Sequence, residues 1–285
     1  MKEIFKYGPW LVEYISEDGA RLHRLCFNGF DLLTIEQSSF RPPRTDYGAY
    51  ELRPVYGYDD CFPSVESCRF PHKDWIIPDH GEICWLKWET LTKKDRLIFS
   101  VKSKVLPLLF TREMHFNETS ISWKFKVVNS SDQQLPFQHV IHPLMKLDDV
   151  TDLDLPAFDS IYNAITSQDM TLHDTEEVKK FLLSQSKGST NMLFLRNVKS
   201  GKMSVTFNKG VRLEVIFPVK YLNSIGIWWN NSSYPDEDGC RRNECAFEPI
   251  PGSTSSLAEA YTEGRCLTVA AGKTFSWQIE WKMYS

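Results

Sequence analysis

The sequence lacks the features that would assign it to several common classes of protein. Its seven cysteines are an odd number and none form a Cys-x-x-Cys pair, so neither a disulfide framework nor a zinc-finger spacing is present. No dinucleotide fingerprint, phosphate-binding Gly-Lys-Ser/Thr loop or Gly-x-Ser-x-Gly elbow occurs. The apolar runs are too short to cross a bilayer, and the first nine residues lack the apolar core of a signal peptide. We therefore expect a cytoplasmic protein that does not enter a membrane.

The balance of charge and apolar residues narrows the class further. The chain of 285 residues has a net charge of −4 with both signs mixed along it, so no basic face for nucleic acid is expected. Hydrophobic residues make up 42% and aromatic residues 13%, which is enough for a large core. We expect one domain over residues 1–285. Four cysteines in apolar surroundings are expected to be buried as small hydrophobic residues: Cys61, Cys68, Cys84 and Cys245.

Alternation with a period of two dominates the chain and predicts β-strands. Apolar side chains occupy every second position over residues 121–127 and again over residues 275–283. Near the N-terminus, residues 10–15, 21–27 and 31–35 are predicted strands, and Asn28-Gly29 is a strong hairpin signal. The sequence therefore predicts an all-β fold, a large antiparallel β-sandwich.

Only one stretch of the sequence clearly predicts a helix. Residues 174–183 begin with Asp174, a candidate N-cap, and Glu177 follows three residues later as in a capping box. One or two short helices are therefore expected in total. Two long segments, about 38–78 and 143–168, contain aromatics and prolines and are predicted to be irregular, covering a face or building a site.

One carboxylate stands inside an otherwise apolar stretch near the C-terminus. Glu248 lies between a phenylalanine and a proline, so its side chain has little room to reach bulk water. Burial disfavours the charged form of a carboxyl group and raises its pKa toward neutral, where a general base works best. Glu248 is therefore a candidate base. An edge-strand glutamate in solvent, or one paired with Arg241 or Arg242, would fit the same stretch.

Three histidines are candidates for proton transfer or substrate contact. His80 lies between Asp79 and Gly81, which predicts a turn with close backbone approach; a surface histidine on an Asp-capped turn is the alternative. His139 and His142 are three residues apart on a predicted strand, so they point to opposite sides and only one can face a given cleft. The proline after His142 favours an extended backbone there. A metal site that uses both is therefore disfavoured.

Two further groups suit a ligand rich in hydroxyl groups. Asp59 and Asp60 stand between aromatic residues, where a carboxylate can accept from a sugar hydroxyl while a ring packs on the apolar face. An Asx turn is the alternative. Trp228 and Trp229 precede two asparagines and could form a stacking platform, although tryptophan pairs are more often part of a core.

Taken in order along the chain, the sequence motifs around these candidate residues resemble those of the galactose mutarotase (aldose 1-epimerase) superfamily. The resemblance rests on five segments spread through most of the chain, Gly57–Pro63, Pro78–Gly81, Ile141–Pro143, Phe247–Pro249 and Val269–Trp281. Each motif is short, but the ordered set is fairly specific. The resemblance implies a large antiparallel β-supersandwich with a sugar site on its concave face.

The resemblance also implies a reaction and a set of roles. Interconversion of the α and β anomers of an aldose needs a base for the C1 hydroxyl and an acid for the ring oxygen, across the ring, without metal or cofactor. Glu248 resembles the base and His142 the acid. His80 resembles the histidine that positions the sugar, and Asp60 and Trp229 are further candidates for hydroxyl contact and stacking. The expected partner is a small sugar, with the chain a monomer or homodimer.

The sequence departs from the pattern of these relatives at two places. Many relatives carry an arginine a few residues after the His-Gly pair, whereas this chain has Glu82-Ile83-Cys84-Trp85 there. Leu144-Met145 replaces the aromatic that usually follows the second histidine motif. An arginine for a sugar hydroxyl or a phosphate would have to come from elsewhere, with Arg41, Arg44 and Arg53 as candidates, or be absent. A non-catalytic sugar-binding protein, and an enzyme for a sugar phosphate held by Arg41 and Arg44, therefore stay as alternatives.

Overall fold

Antiparallel strands make up about half of the computed structural model, which describes residues 1–36, 48, 50, 55–236 and 241–285. These residues contain two α-helices, α1 (Thr175–Leu183) and α2 (Leu257–Thr262), and short 3-10 turns at Ile83–Trp85, Leu147–Asp149 and Asn208–Gly210. The strands are β1 (Glu3–Tyr7), β2 (Trp10–Ile15), β3 (Arg21–Phe27), β4 (Phe30–Asp31), β5 (Tyr58–Cys61), β6 (Cys68–Arg69), β7 (Ile76–Ile77), β8 (Glu89–Lys93), β9 (Arg96–Lys102), β10 (Leu108–Phe116), β11 (Ser120–Asn129), β12 (Leu135–Phe137), β13 (Val140–Pro143), β14 (Met145–Lys146), β15 (Val150–Asp154), β16 (Ser160–Asn163), β17 (Gln168–Met170), β18 (Ser189–Arg196), β19 (Lys202–Phe207), β20 (Arg212–Ile216), β21 (Ser224–Asn231), β22 (Asn243–Ile250), β23 (Leu267–Val269) and β24 (Thr274–Tyr284).

The largest sheet has eight strands in the order β15-β19-β20-β24-β11-β10-β9-β8. The last strand of the chain, β24, therefore lies inside this sheet, paired with β20 on one side and β11 on the other. Its alternating pattern explains its place, because Trp277, Ile279, Trp281 and Met283 are buried while the residues between them are at least partly exposed. The predicted all-β antiparallel fold is confirmed.

Two six-stranded sheets and two two-stranded sheets, β6-β7 and β12-β23, make up the rest of the strands in the described residues. One six-stranded sheet has the order β1-β2-β3-β5-β13 with β4 paired to β3, and the other has the order β14-β22-β21-β18-β16-β17. The chain passes from the first to the second at Leu144, the single residue between β13 and β14. This passage brings β13 next to β22, and the candidate site lies there.

Aromatic side chains fill much of the core. Trp123 and Trp281 face each other across paired strands with ring centroids 5.0 Å apart, and Phe125 stacks on Trp277 at 5.5 Å. Burying one such side chain contributes about 1.5–3 kcal/mol relative to leaving it exposed. The residues of the predicted alternation, 121–127 and 275–283, therefore lie in β11 and β24, and their alternate side chains form this part of the core.

The predicted helix is confirmed, including its N-cap. The Asp174 carboxylate accepts a hydrogen bond from the backbone N–H of Glu177 at 2.9 Å, and the helix follows from Thr175 to Leu183. The Glu177 carboxylate accepts in turn from the N–H of His173, one residue before the cap. Neither helix in the described part of the chain is long and apolar enough to cross a membrane.

Two predictions about local structure are wrong. Residues 31–35 were expected to form a strand, but only Phe30–Asp31 pairs with β3 after the turn at Asn28 and Gly29. Residues 38–78 and 143–168 were expected to be irregular, but β5, β6 and β7 lie in the described part of the first segment and β14, β15 and β16 in the second. Both errors have one cause, since pairing of a two- to five-residue strand is decided by the neighbouring strand and not by its own pattern.

Candidate active site

A cavity of about 310 Å³ opens between the two six-stranded sheets, beside the point where β13 passes β22. Its walls combine apolar side chains with a few convergent polar groups, as is usual for small-molecule sites. The lining residues are Tyr50, Val55, Val65, Glu66, Asp79, His80, His142, Leu144, Ala164, Ile165, Met192, Trp228, Tyr234, Arg242, Glu244, Glu248 and Ser255.

Strand β22 brings Glu248 to the cavity. Successive side chains of a strand alternate between its faces, so Cys245 and Phe247 enter the main core while Glu244 and Glu248 line the cavity. Glu248 is only 3% exposed, and within the described residues no hydrogen bond reaches its carboxylate. A buried carboxylate without a donor is costly unless a ligand supplies one, so this position is arranged for a binding partner.

A fixed register between β5 and β13 positions His142. In that register His142 pairs with Asp59, and the Asp59 carboxylate lies 2.9 Å from His142 Nδ1. Burial alone would lower the pKa of His142, but the Asp59 hydrogen bond and charge outweigh it and raise this pKa above its ordinary value. The proton on Nδ1 faces Asp59, so Nε2 is the nitrogen directed at the cavity.

Glu248 and His142 are neighbours in the cavity. His142 Nε2 and Glu248 Oε1 are 3.7 Å apart, and both side chains are almost buried. Burial raises the pKa of Glu248 above its ordinary value, while the nearby His142 and His80 oppose the increase. The two groups therefore lie side by side, and not on opposite edges of the hollow as the sequence-based picture implied.

His80 reaches the same cavity from a tight turn. Its ring stacks on Tyr50 with centroids 3.6 Å apart and an interplanar angle of 6°, and lies 5.0 Å from the His142 ring. The turn requires glycine at position 81, where φ is +78° and a Cβ atom would lie 2.2 Å from the Phe62 carbonyl oxygen. The predicted close backbone approach beside His80 is thus confirmed.

A second polar group lines the cavity four residues before Glu248 on β22. The Glu244 carboxylate oxygen Oε1 accepts from Trp228 Nε1 at 3.1 Å and from Arg242 Nε at 2.8 Å. Arg242 therefore pairs with Glu244 and makes no ion pair with Glu248, which resolves the alternative left open by the sequence. Trp228 presents its indole to the cavity from the adjacent strand β21.

Asp60, a predicted sugar contact, does not line the cavity. It lies on the other face of β5 from Asp59, fully buried, where it pairs with Arg112 and accepts from Tyr58 Oη at 2.7 Å. Burial would raise the pKa of Asp60, but the Arg112 charge holds it below its ordinary value. His139 joins this buried network with Nε2 2.9 Å from Asp60, so it points away from His142 as predicted. Asp60 is a residue of the core network and not of the site.

Trp229, the other predicted contact, also lies elsewhere. It is 3% exposed and belongs to the main core, whereas its neighbour Trp228 faces the cavity. The sequence marked the pair as a possible stacking platform but could not tell which member faces the cavity, because that direction depends on how β21 pairs in its sheet. The candidates for the missing arginine, Arg41, Arg44 and Arg53, of which the first two were predicted to hold a phosphate, lie outside the described residues.

Three site residues were missed by sequence reasoning. Asp59 was noted beside Asp60 but not chosen, and strand register with His142 is the signal that would have selected it. Glu244 could have been found from its spacing, since residues four apart on a strand share a face with Glu248. Tyr50 lies in a segment without periodicity, and nothing in the sequence marks it. Of the predicted residues, the structure brings together Glu248, His142 and His80.

Comparisons with known proteins identify the fold. No protein-family model matches the chain, and no curated protein matches its sequence. Solved structures nevertheless superpose along its whole length. The Slr1438 protein of Synechocystis sp. PCC 6803 matches with a TM-score of 0.78 at 14% identity, covering 99% of this chain and 95% of that one.

Two further neighbours carry a descriptive name. A galactose mutarotase related enzyme of Lactobacillus acidophilus matches with a TM-score of 0.68 at 16% identity, covering 100% of this chain and 98% of its own. A galactose mutarotase-like protein of Lactobacillus casei matches with a TM-score of 0.69 at 14% identity, with complete coverage of both chains. This chain therefore has the galactose mutarotase-like β-sandwich fold, as its sequence predicted.

Proposed function

We propose that the protein is a sugar mutarotase of the aldose 1-epimerase type, which interconverts the α and β anomers of an aldose by acid–base ring opening. The observation that carries the proposal is the pairing of Glu248, a buried carboxylate without a hydrogen bond in the described structure, with His142, an imidazole held by Asp59. The names of the structural neighbours support the same reaction class.

The adjacency of the two groups fits the chemistry of the anomeric centre. The C1 hydroxyl oxygen and the ring oxygen are bonded to the same carbon, so a base for one and an acid for the other must lie close together. Glu248 takes the hydroxyl proton, the C1–O1 bond becomes a carbonyl, and the C1–ring oxygen bond breaks as His142 Nε2 protonates the ring oxygen. Rotation about C1–C2 and the reverse transfers close the ring on the other face and restore both groups.

Each group begins in the protonation state that the step requires. Burial raises the pKa of Glu248, which makes the carboxylate a stronger base than an exposed glutamate. Asp59 holds the pKa of His142 above its ordinary value despite burial, so the imidazolium is available as an acid near neutral pH. One protein therefore presents a carboxylate and an imidazolium 3.7 Å apart at the same pH.

The remaining polar residues of the cavity would hold the sugar in place. His80, fixed by its stack on Tyr50 and facing Asp79 with Nδ1 at 3.1 Å, presents its other nitrogen beside His142. Glu244 offers a carboxylate to hydroxyl groups remote from C1, and Trp228 lies next to it as an apolar surface for a sugar ring. Fixed contacts of this kind convert binding energy into orientation of the reacting atoms.

The decisive experiment measures anomer exchange directly. Polarimetry or NMR exchange on a panel of α-aldoses should show acceleration over buffer by the full chain. Glu248→Gln should reduce kcat by about a thousandfold while the sugar still binds, because an amide cannot accept the proton that drives ring opening, and general-base catalysis contributes about 10²–10⁴-fold.

Two results would redirect the proposal. The first is that no sugar in the panel is converted faster than in buffer, although the wild type and Glu248→Gln bind sugar with equal, measurable affinity. This result would indicate a non-catalytic sugar-binding protein. Acceleration confined to phosphorylated sugars, lost in Arg41→Ala and Arg44→Ala, would instead indicate the sugar-phosphate enzyme.

A further inference from the structure

A fully buried thiol lies behind the histidines of the cavity and has no part in the proposed reaction. Cys61 shares with Asp59 the side of β5 that faces His142, since the two are separated by one residue along the strand. Its sulfur and one ring nitrogen each of His80 and His142 all lie within 4.8 Å of one another. The three residues come from different parts of the chain, so the fold and not a local motif assembles the cluster.

Both histidines are oriented as metal-binding histidines usually are. Asp59 lies 2.9 Å from His142 Nδ1, and Asp79 lies 3.1 Å from His80 Nδ1. A carboxylate on the outer nitrogen fixes the tautomer, directs the other nitrogen inward and increases its basicity as a ligand. Two carboxylate–histidine pairs that converge beside one thiol form a preorganised set of donors.

The distances suit a tetrahedral ion after a small contraction. Zinc bonds nitrogen at about 2.0–2.1 Å and sulfur at about 2.3 Å, which places neighbouring ligand atoms roughly 3.3–3.7 Å apart. A separation of up to 4.8 Å therefore closes with an inward movement of about 1 Å. Glu248 Oε1 is 3.7 Å from His142 Nε2 but is not one of the mutually close donor atoms, so the chain supplies three ligands.

We propose that this cluster is an inhibitory site for a divalent cation that favours thiolate and imidazole, of the Zn²⁺ or Cd²⁺ kind, bound by Cys61, His80 and His142 with water in the fourth position. Sulfur and imidazole donors select such ions over Mg²⁺ and Ca²⁺, which prefer oxygen. Binding releases the Cys61 thiol proton and the inward His142 proton to solvent. The ion and a sugar would compete for His80 and His142, which also line the cavity; this consequence, though not the binding itself, rests on the proposed function.

Titration with Cd²⁺ tests the site without any assay of activity. Thiolate coordination gives a ligand-to-metal charge-transfer band in the ultraviolet, and the full chain should show one that saturates at one equivalent. Cys61→Ser should abolish the band, whereas Cys245→Ser, which removes a buried cysteine of the main core, should keep it. A band that persists in Cys61→Ser, or no saturable band in the wild type, would overturn the proposal.

A second variant keeps the test valid if Cys61→Ser fails to fold. Asp79 is partly exposed at the rim of the cavity, and Asp79→Asn removes only the carboxylate that orients His80. Outer carboxylates of this kind typically contribute 10–100-fold to metal affinity, so the Cd²⁺ dissociation constant should rise by about that factor. An unchanged constant would exclude His80 as a ligand.

If the protein accelerates anomer exchange, Zn²⁺ should inhibit the exchange competitively with the sugar. Binding of the metal ion by a protein that turns over no sugar would contradict only the proposed reaction.

Discussion

At the scale of single residues, the site depends on opposite protonation preferences in two adjacent side chains. Glu248 is a base because burial disfavours its charge, and His142 is an acid because Asp59 favours its charge. The pKa of each group lies above its ordinary value, so the rate should have an acidic limb set by Glu248 and an alkaline limb set by His142. The Asp59 carboxylate determines where the alkaline limb falls.

Asp59→Asn should therefore shift the pH profile toward lower pH. Loss of the carboxylate removes the charge that stabilises the imidazolium, so the pKa of His142 falls and its acid form is lost at a lower pH than in the wild type. The pKa of Glu248 should fall slightly as well, because Asp59 contributes to its increase. The pH dependence of kcat/KM measures both limbs, and we expect at least a tenfold loss at pH 7.

The surface residue Asp154 provides the control for this experiment. Asp154→Asn also removes one negative charge but should leave both limbs unchanged, because its side chain is exposed. An alkaline limb that stays in place in Asp59→Asn would show that Asp59 does not control His142.

Glu244 should affect substrate binding more than turnover. It lines the cavity four residues before Glu248 on β22, and its hydrogen bonds go to Trp228 and Arg242, so its contacts are expected to be equal in the bound sugar and the transition state. Glu244→Gln should raise KM by about tenfold, equivalent to about 1.4 kcal/mol, with kcat within about twofold of wild type. Steady-state kinetics separate the two parameters. Glu66→Gln, at an exposed lining position, is the matched control and should leave KM unchanged. A fall in kcat as large as the rise in KM in Glu244→Gln would contradict the binding role.

At the scale of elements, the pairing of β21 with β22 makes room for the base. Gly226 lies directly across from Glu248 in this pair, and a Cβ atom at position 226 would be 3.1 Å from Glu248 Oε2 and 3.1 Å from the Met192 methyl group. Gly226 does not have a left-handed backbone conformation. Glycine is therefore needed at this position because a side chain would not fit, and not because of its conformational freedom. A strand position without a side chain thus allows the carboxylate to lie flat against β21.

Gly226→Ala should therefore reduce activity without preventing folding. The added methyl group must displace the Glu248 carboxylate or Met192 by a few tenths of an ångström, and small misplacements of a reacting group reduce rates strongly. We expect kcat to fall by about tenfold or more, while thermal unfolding shows a stable protein. Ser224→Ala, two residues earlier on the same strand, is the control; equal kcat for Gly226→Ala and wild type would contradict the argument.

At the scale of the whole molecule, the last strand holds the eight-stranded sheet together. Strand β24 pairs with β11 and with β20. Each paired residue of β11 precedes its partner in β24 by more than 140 positions along the chain. Its buried tryptophans contact the core between the sheets, so its loss would open the sheet in the middle and not at an edge. The stability of the site is therefore tied to contacts remote from it.

Trp281→Ala tests this dependence. The side chain is 1% exposed and faces Trp123, so truncation should cost about 3–5 kcal/mol of the free energy of unfolding, as for other buried aromatic residues. Chemical denaturation measures the change. Gln278→Ala, at an exposed position of the same strand, should change the free energy by less than about 0.5 kcal/mol. Similar values for the two variants would contradict a central role for β24.

The sequence by itself determined the strand content, the capped helix at Thr175–Leu183 and the identity of Glu248, His142 and His80 as the residues that meet. These follow from local signals: alternation, an N-cap and short motifs in a fixed order. Which residue of a pair faces the site was decided only by the tertiary structure. Asp59 rather than Asp60 holds His142, and Trp228 rather than Trp229 lines the cavity, because register with β13 and β22 sets the direction of each side chain. Tyr50, Glu244 and the thiol beside the histidines likewise become site residues only when distant strands pack together.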